Sequence, residues 1–401
     1  YIPTVNIGNA GPVLGGYSSR SITAASSSTI IDSSKTWEKL INKNIGVDFA
    51  VLNRRLTGSF DYFWKENQNM FIFQQSPAVL GATPPYRNIG RLKVWGWEMS
   101  IGWRDRVGKV NYHVGGTLTD NNNKIVTLLG ANNITAGMLN IEGYAINSYF
   151  GLKYNGRVQT DKDVADYSKF VPGNSTSMPS ATQIIKGINM YQDVNGDGTL
   201  TNAGASQNRL GKLDANGNPI GDGDVVYLGR SDPRYVFALN MGAEYNNFDF
   251  AVVFQGVGKR MIYRRSDWSV PFGTIWQGHA DWWVGKTWTP DNPNAELPIL
   301  ATANQGGYGN YNGYNYQISD WSMQNGAYVR LKSIVLGYTL PQNISAKAKI
   351  QRLRVYVSGY DLWERTKVQD KWDPEQTNSI SSGSQRYPFY RLLTFGANVT
   401  F

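Results

Sequence analysis

Cysteine is absent from the 401 residues, and histidine occurs only twice. The first absence excludes a disulfide framework and a cysteine-ligated zinc, and it suits an envelope protein exposed to oxidants. The second leaves little catalytic inventory. His113 and His279 lie beside no nucleophile signature, and no GxxxxGK[ST] run is present to cradle a phosphate, so an enzyme is not expected. Charged residues are only 17% of the chain, and no stretch approaches the twenty apolar residues of a spanning helix. A mean hydropathy of -0.40 argues against a helical membrane protein. It does not argue against a membrane barrel, because the lumen and loops of a barrel are polar. The formal charge of +9 could signal an anionic partner such as nucleic acid or lipopolysaccharide. Lysine and arginine are spread along the chain without a clustered basic arm, which favours dispersed surface charge and argues against nucleic acid.

What is abundant points to β structure: 24 Tyr, 13 Trp and 43 Gly, with aromatics at 13%. The last dozen residues, Tyr390 to Phe401, are the clearest stretch. Leu393, Phe395, Ala397, Val399 and Phe401 alternate with Thr394, Gly396, Asn398 and Thr400, which places the two sets on opposite faces of one strand. An apolar face that ends on an aromatic fits a strand against lipid, with a girdle at the interface. The same alternation predicts strands over 44–52, 56–64, 95–104, 110–118, 234–246, 247–258, 328–340, 352–361 and 390–401. Each is about long enough to cross a membrane at a barrel tilt.

The connections alternate as well. Short links at 53–55, 105–109, 246–247 and 341–351 separate long ones at 65–92, 122–233, 259–327 and 362–389. Outer-membrane barrels have tight periplasmic turns and long outer loops. If 53–55 is periplasmic, counting through places Phe401 at the periplasmic rim. Ser148 to Gln159 also reads as a strand, but counting it as spanning would break the parity, so it is assigned to the loop 122–233. The expectation is an all-β transmembrane antiparallel barrel wall of about nine strands, with a tenth if part of residues 1–20 contributes. A soluble sandwich or propeller would use similar strands. Sandwiches rarely carry loops approaching a hundred residues, and no internal repeat supports a propeller.

Several blocks then resemble SusC/RagA-type TonB-dependent outer-membrane transporters. They include Asn44 to Phe49, Asn53 to Tyr62, Gly96-Trp97-Glu98, Asp193 to Gly198, Gly229 to Tyr235, Phe254 to Gly258, Gln324 to Lys332 and the ending Phe395 to Phe401. They fall in the family's order along almost the whole chain. The resemblance implies a barrel of twenty-two strands with an N-terminal plug and a TonB-contacting segment, neither of which is found here. About ten strands cannot close such a barrel, and the chain starts at Tyr1 without a leader. Residues 1–401 are therefore expected to be the C-terminal part of the barrel, from a longer product. A complete small barrel is the competing reading.

One constellation has ligand spacing. Asp193, Asn195 and Asp197, followed by Gly198, match positions one, three, five and six of a calcium loop, with the carbonyl of Thr199 at seven. The later positions depart from an EF-hand, with Thr201 at nine and Gly204 at twelve. The family resemblance implies a further acidic residue before a Tyr-Leu-Gly element, for which Asp222 and Asp224 stand ready, with 200–221 as an insertion. Ca²⁺ would be favoured over Mg²⁺ and would staple an outer loop. The alternative is a plain Asn-Gly/Asp-Gly turn that binds nothing. Asp48 and Asp61 alternate with apolar residues and are expected to face a watery lumen, while Trp95, Trp97 and Trp103 belong to lipid-side girdles. Trp268, Trp276, Trp282, Trp283 and Trp288, with Tyr308, Tyr311, Tyr314 and Tyr316, either stack on sugars, dock a lid, or form a loop core. The resemblance implies TonB-driven import of an oligosaccharide or peptide with a SusD-like surface lipoprotein. A docking barrel in a larger assembly and a passive pore are the alternatives.

Overall fold

The computed structural model describes residues 34–73, 85–128, 140–170, 181–200, 223–263, 283–300, 314–368, 372–376 and 389–401, with the backbone of 5–10, 22–27, 134–135 and 138–139. Nine strands form one antiparallel sheet: β1 (Lys39–Val51), β2 (Leu56–Phe73), β3 (Tyr86–Val107), β4 (Val110–Thr127), β5 (Arg234–Tyr245), β6 (Phe248–Lys259), β7 (Tyr328–Thr339), β8 (Arg352–Thr366) and β9 (Leu392–Thr400). Each pairs with its neighbours in sequence, so the sheet is a plain up-and-down meander. Among the described residues β1 and β9 are paired on one side only, and the sheet is an unclosed wall. Val5–Ala10 and Ile22–Ser27 pair with each other in a separate two-stranded sheet and supply no tenth strand to this wall.

The pleat sorts the side chains as the alternation predicts. Ile45, Val47, Phe60, Met99, Ile101, Leu336, Val355 and Phe395 are all exposed, and the register places them on one face. Trp95, Trp97 and Trp103 share that face, and Trp97 stacks on Phe60 at 6.4 Å between ring centroids. Asp48 opposite Ser59, and Asp61 opposite Gly46, lie on the other face. Exposed apolar side chains in this number would be untenable in water and are the expected surface of a wall against lipid.

At one end the turns are tight. Leu52, Asn53 and Arg54 link β1 to β2 with φ of 54°, 58° and 62°, and Gly108-Lys109 links β3 to β4. Asn246-Asn247 joins β5 to β6, and a short helix at Gln342–Ser345 joins β7 to β8. At the other end the strands run further than their hydrophobic pattern. The loop predicted over 65–92 is mostly ladder, since β2 continues to Phe73 and β3 starts at Tyr86. β4 likewise extends to Thr127 and β8 to Thr366, which shortens the loops predicted from 122 and 362. The reason is that beyond the lipid both faces are wet. The side-chain alternation fades there while backbone pairing persists. At 22 residues β3 would span about 70 Å, more than twice a hydrocarbon core.

Candidate functional site: the outer loop layer and the lumen wall

The segments after β4 and β6 do not hang as separate loops. Ser148–Gly151 pairs with Val226–Arg230, and Tyr154–Arg157 pairs with Asn189–Tyr191, within the first segment. The 148–159 stretch is thus strand, but it lies outside the nine-stranded wall, as the parity argument requires. The second segment is stitched to the first. The Leu152 amide donates to Ile318 O at 2.8 Å, the Tyr154 amide to Asp320 Oδ1 at 2.7 Å, and Asn189 Nδ2 to Asn315 O at 2.8 Å. Arg157 crosses to Ala295 O at 2.7 Å.

One core fixes the arrangement. Leu152, Val158, Tyr167, Ile188, Leu200 and Tyr314 pack together, all at most 5% exposed. The Tyr167 and Tyr314 hydroxyls bond to one another, and Tyr191 Oη donates to Tyr314 O at 3.0 Å. Burial pushes the Tyr167 hydroxyl up to about 12, and holds those of Tyr191 and Tyr314 well above the usual range. Of the aromatic group flagged in the sequence, Trp288, Tyr314 and Tyr316 are buried, and Trp288 Nε1 donates to Gln159 Oε1 at 2.8 Å. They serve the loop's own core rather than an open stacking platform. Trp268, Trp276, Trp282, Tyr308, Tyr311 and His279 lie outside the described residues.

The DVNGDG turn sits at the edge of this core. The chain leaves through buried Tyr191 and returns through buried Leu200, so the intervening residues must reverse tightly. Gly196 and Gly198, at φ of 74° and 81°, supply conformations other residues resist. Asp193 accepts from the Gly196 amide at 2.7 Å and the Gly198 amide at 2.8 Å. Asn195 Oδ1 accepts from the Asp197 amide at 3.1 Å, Asn195 Nδ2 donates to Asp197 Oδ2, and Asp197 Oδ1 accepts from the Thr199 amide at 2.7 Å. Asp224, fully buried, arrives from across the insertion and accepts from the Val194 amide at 2.7 Å. The structure therefore gathers all five residues singled out in the sequence, while Asp222 lies outside the described residues. Among the described residues no group of three histidine or acidic side chains converges as a metal cage. The acceptors serve the loop's own amides, and that bonding accounts for their placement.

The matches to known proteins follow the same architecture. A family described as TonB dependent receptor-like, beta-barrel, matches residues 8–161. Over 388 residues the chain is 26% identical to TonB-dependent receptor P3 of Formosa agariphila, covering 91% of this chain and 34% of that protein. It is 24% identical over 381 residues to TonB-dependent receptor SusC of Bacteroides thetaiotaomicron, covering 90% of this chain and 31% of that one. The fold matches the RagAB peptide transporter with a TM-score of 0.67 and 20% identity, covering 100% of this chain and 39% of that one. The chain is similar to a barrel segment of SusC/RagA-type proteins. It spans about a third of the length of the curated relatives it matches.

In the wall, the face opposite the exposed apolar one carries a charge cluster that sequence reading missed. Arg330 on β7 is 2% exposed and pairs with Glu364, with Asp373 at 2.9 Å and with Glu375 at 3.1 Å. Lys332, two residues on and on the same face, reaches Asp361 and Glu375, each at 3.1 Å. Four carboxylates thus surround two cations. The sequence offered half a signal, since Val329-Arg330-Leu331-Lys332 alternates charge with apolar residues. The acids come from β8 and from the segment after it, which local pattern cannot bring to Arg330. The cluster ties the chain beyond β8 to the wall, because Asp373 also accepts from the Phe389 amide at 3.1 Å.

Proposed function

We propose that this chain forms part of the wall and outer vestibule of a TonB-dependent importer in the outer membrane. Its cargo would be a bulky nutrient, an oligosaccharide or a peptide. The observation that carries this is the pairing of a lipid-suited meander with long outer segments folded into a single body over its rim. A passive pore needs no such layer, whereas an importer that captures large cargo needs a shaped surface outside the barrel. The open edges of β1 and β9 call for further strands, since unpaired backbone in hydrocarbon costs several kcal/mol per group, on the order of 2–7. Residues 1–401 would then belong to the C-terminal part of the closed barrel, with the plug and TonB-contacting segment on another part of the same protein. The likeness to SusC and to the RagAB peptide transporter supports a SusD-like lipoprotein as the lid, resting on the described residues of the loops predicted over 122–233 and 259–327. The likeness does not choose between the two cargo classes.

A Ca²⁺ ion at Asp193, Asn195, Asp197, Thr199 and Asp224 is part of the proposal, as a staple of the layer. The donors are hard oxygens, and each carboxylate oxygen that accepts one amide keeps a second lone pair. Chelation of the intact protein should then lower the thermal stability of the layer, and Ca²⁺ but not Mg²⁺ should restore it. No response to either would leave the turn as a hydrogen-bonded reversal alone.

Import itself is tested with cells that carry or lack the full gene, fed labelled oligosaccharides and peptides, with and without functional TonB. Uptake that requires both supports the proposal. Uptake that persists without TonB would indicate a pore, and no uptake of either class would favour a docking role.

A further inference from the structure

The dispersed positive charge of the sequence converges in space at the outer end of the wall, where Lys43, Lys93 and Lys124 share the lipid-side face beyond the aromatic girdle. Residues directly opposite on neighbouring strands share a face, so the register reads as rows. Lys43, Trp64, Trp95 and Asn122 form one row, with the Lys43 ammonium 5.4 Å from the Trp64 ring. The next row outward runs Glu66, Lys93 and Lys124, with Glu66 also paired to Arg91. Glu66 flanks Lys93, which leaves Lys124, at the end of the row, as the cation that lines the neighbouring cleft.

Beside this row a cleft of about 550 Å³ opens between the wall and the loop layer. Trp95, Tyr144 and Tyr227 line its apolar side, the two tyrosines 5.3 Å apart between ring centroids. Lys124, Arg230, Arg234, Lys259 and Arg260 line it too, against Asp232 as the single acid. Arg234 is neutralised by Asp120, and Asp232 accepts from Asn147 Nδ2 at 3.1 Å. Arg230 is 9% exposed and bonds only neutral oxygens, the Asn121 carbonyl and Asn122 Oδ1, while its buried Nε–H has no hydrogen-bond partner. Asp232 and Asp120 act on it electrostatically without a hydrogen bond to it, and a buried guanidinium with no carboxylate in hydrogen-bond contact is costly unless an anion completes it. Burial and the neighbouring Arg234 hold its pKa below the ordinary arginine range.

We propose that this cleft binds the phosphate-bearing headgroup of an outer-leaflet glycolipid, whose acyl chains lie along the exposed apolar face below it. The lipid source is favoured over a free anion because the cationic cleft is continuous, through Trp95 and Trp97, with the face bearing Met99 and Ile101. An anionic head above a hydrophobic tail matches that sequence of surfaces. The assignment rests on the face being lipid-exposed, and is independent of which cargo, if any, is imported.

The test uses the full-length protein, delipidated in detergent, with native mass spectrometry and thermal shift as readouts. Three probes are compared: a phosphorylated lipid A-type glycolipid, the same glycolipid with its phosphate removed, and inorganic phosphate. The phosphorylated glycolipid should bind, and the other two should bind far more weakly. The double variant Lys124→Gln/Lys259→Gln replaces exposed lysines and should fold. It should lose roughly thirtyfold in affinity, about fivefold per lysine at an anionic lipid surface. Equal binding of the dephosphorylated glycolipid, or an unchanged affinity in the double variant, would overturn the proposal. Inorganic phosphate binding as tightly as the glycolipid would overturn it in favour of a free-anion site. Loss of TonB-dependent uptake in the wild type would count against import and leave this result standing.

Discussion

The wall and the outer layer solve opposite problems with similar residues. In the wall, Ile45, Ile101 and Phe395 are exposed, at 72%, 48% and 76%, while in the layer Leu152, Ile188 and Leu200 are at most 2% exposed. The wall is held by backbone ladders and by the solvent it expects on each face. The layer is held as a water-soluble domain is, by a buried core and by hydrogen bonds between its segments. An exposed isoleucine is therefore a defect in one region and a requirement in the other. Exposure takes its meaning from the solvent, not from the residue.

The comparison can be broken at its centre. Leu152→Ala should cost about 2–5 kcal/mol through the cavity it leaves, and the loss should be confined to the layer. Limited proteolysis would then cleave the outer segments while the wall keeps its heat-modifiable mobility on gels. A collapse of both together would show that the layer and wall fold as one unit. On the lipid side, Ile101→Lys should cost about 2–4 kcal/mol at the bilayer midplane. Thr117→Lys, on the lumen face of the adjacent strand, should stay within about 0.5 kcal/mol. Equal costs, measured by unfolding from lipid vesicles, would contradict the assignment of faces.

A pH titration sharpens the contrast. The Tyr167 pKa is raised by burial, so the folded layer holds that proton more tightly than the unfolded chain does. The resulting stability is fully present below about pH 10, the ordinary tyrosine value. It is lost as pH rises through about 12. Tyrosine absorbance should therefore show a group that titrates late and together with loosening of the layer. Tyr167→Phe should remove one proton from that late phase, to which Tyr191 and Tyr314 also contribute. The smallest effect is expected at α1 (Asp161–Tyr167), where Thr160 and Asp163 form a reciprocal cap. Thr160→Ala should cost about 1 kcal/mol, visible as faster amide exchange in that helix alone.

The period-two alternation in Trp95 to Trp103 and in Leu393 to Phe401 was enough to assign strands, faces and the order of short and long links. Those features are local, because a strand's two faces and a turn's backbone are written in adjacent residues. Three things were not legible. Strand ends beyond the membrane escaped because pairing of Lys65 with Val94, and onward to Phe73 with Tyr86, is a backbone property that survives without alternation. Arg330 escaped because its carboxylate partners lie 31 to 45 positions away. The convergence of Lys124, Arg230 and Lys259 escaped because charges spread evenly along a chain can still meet across strands.

The turn at Asp193 to Thr199 stands between these cases. Its spacing named the residues, but their place at the edge of a core and the arrival of Asp224 belonged to the fold. Sequence by itself determined what each short segment would be, since side-chain period and turn chemistry act over a few residues. Tertiary structure alone decided which distant segments share a cleft or a core, because long-range pairing and burial, not local preference, choose those neighbours.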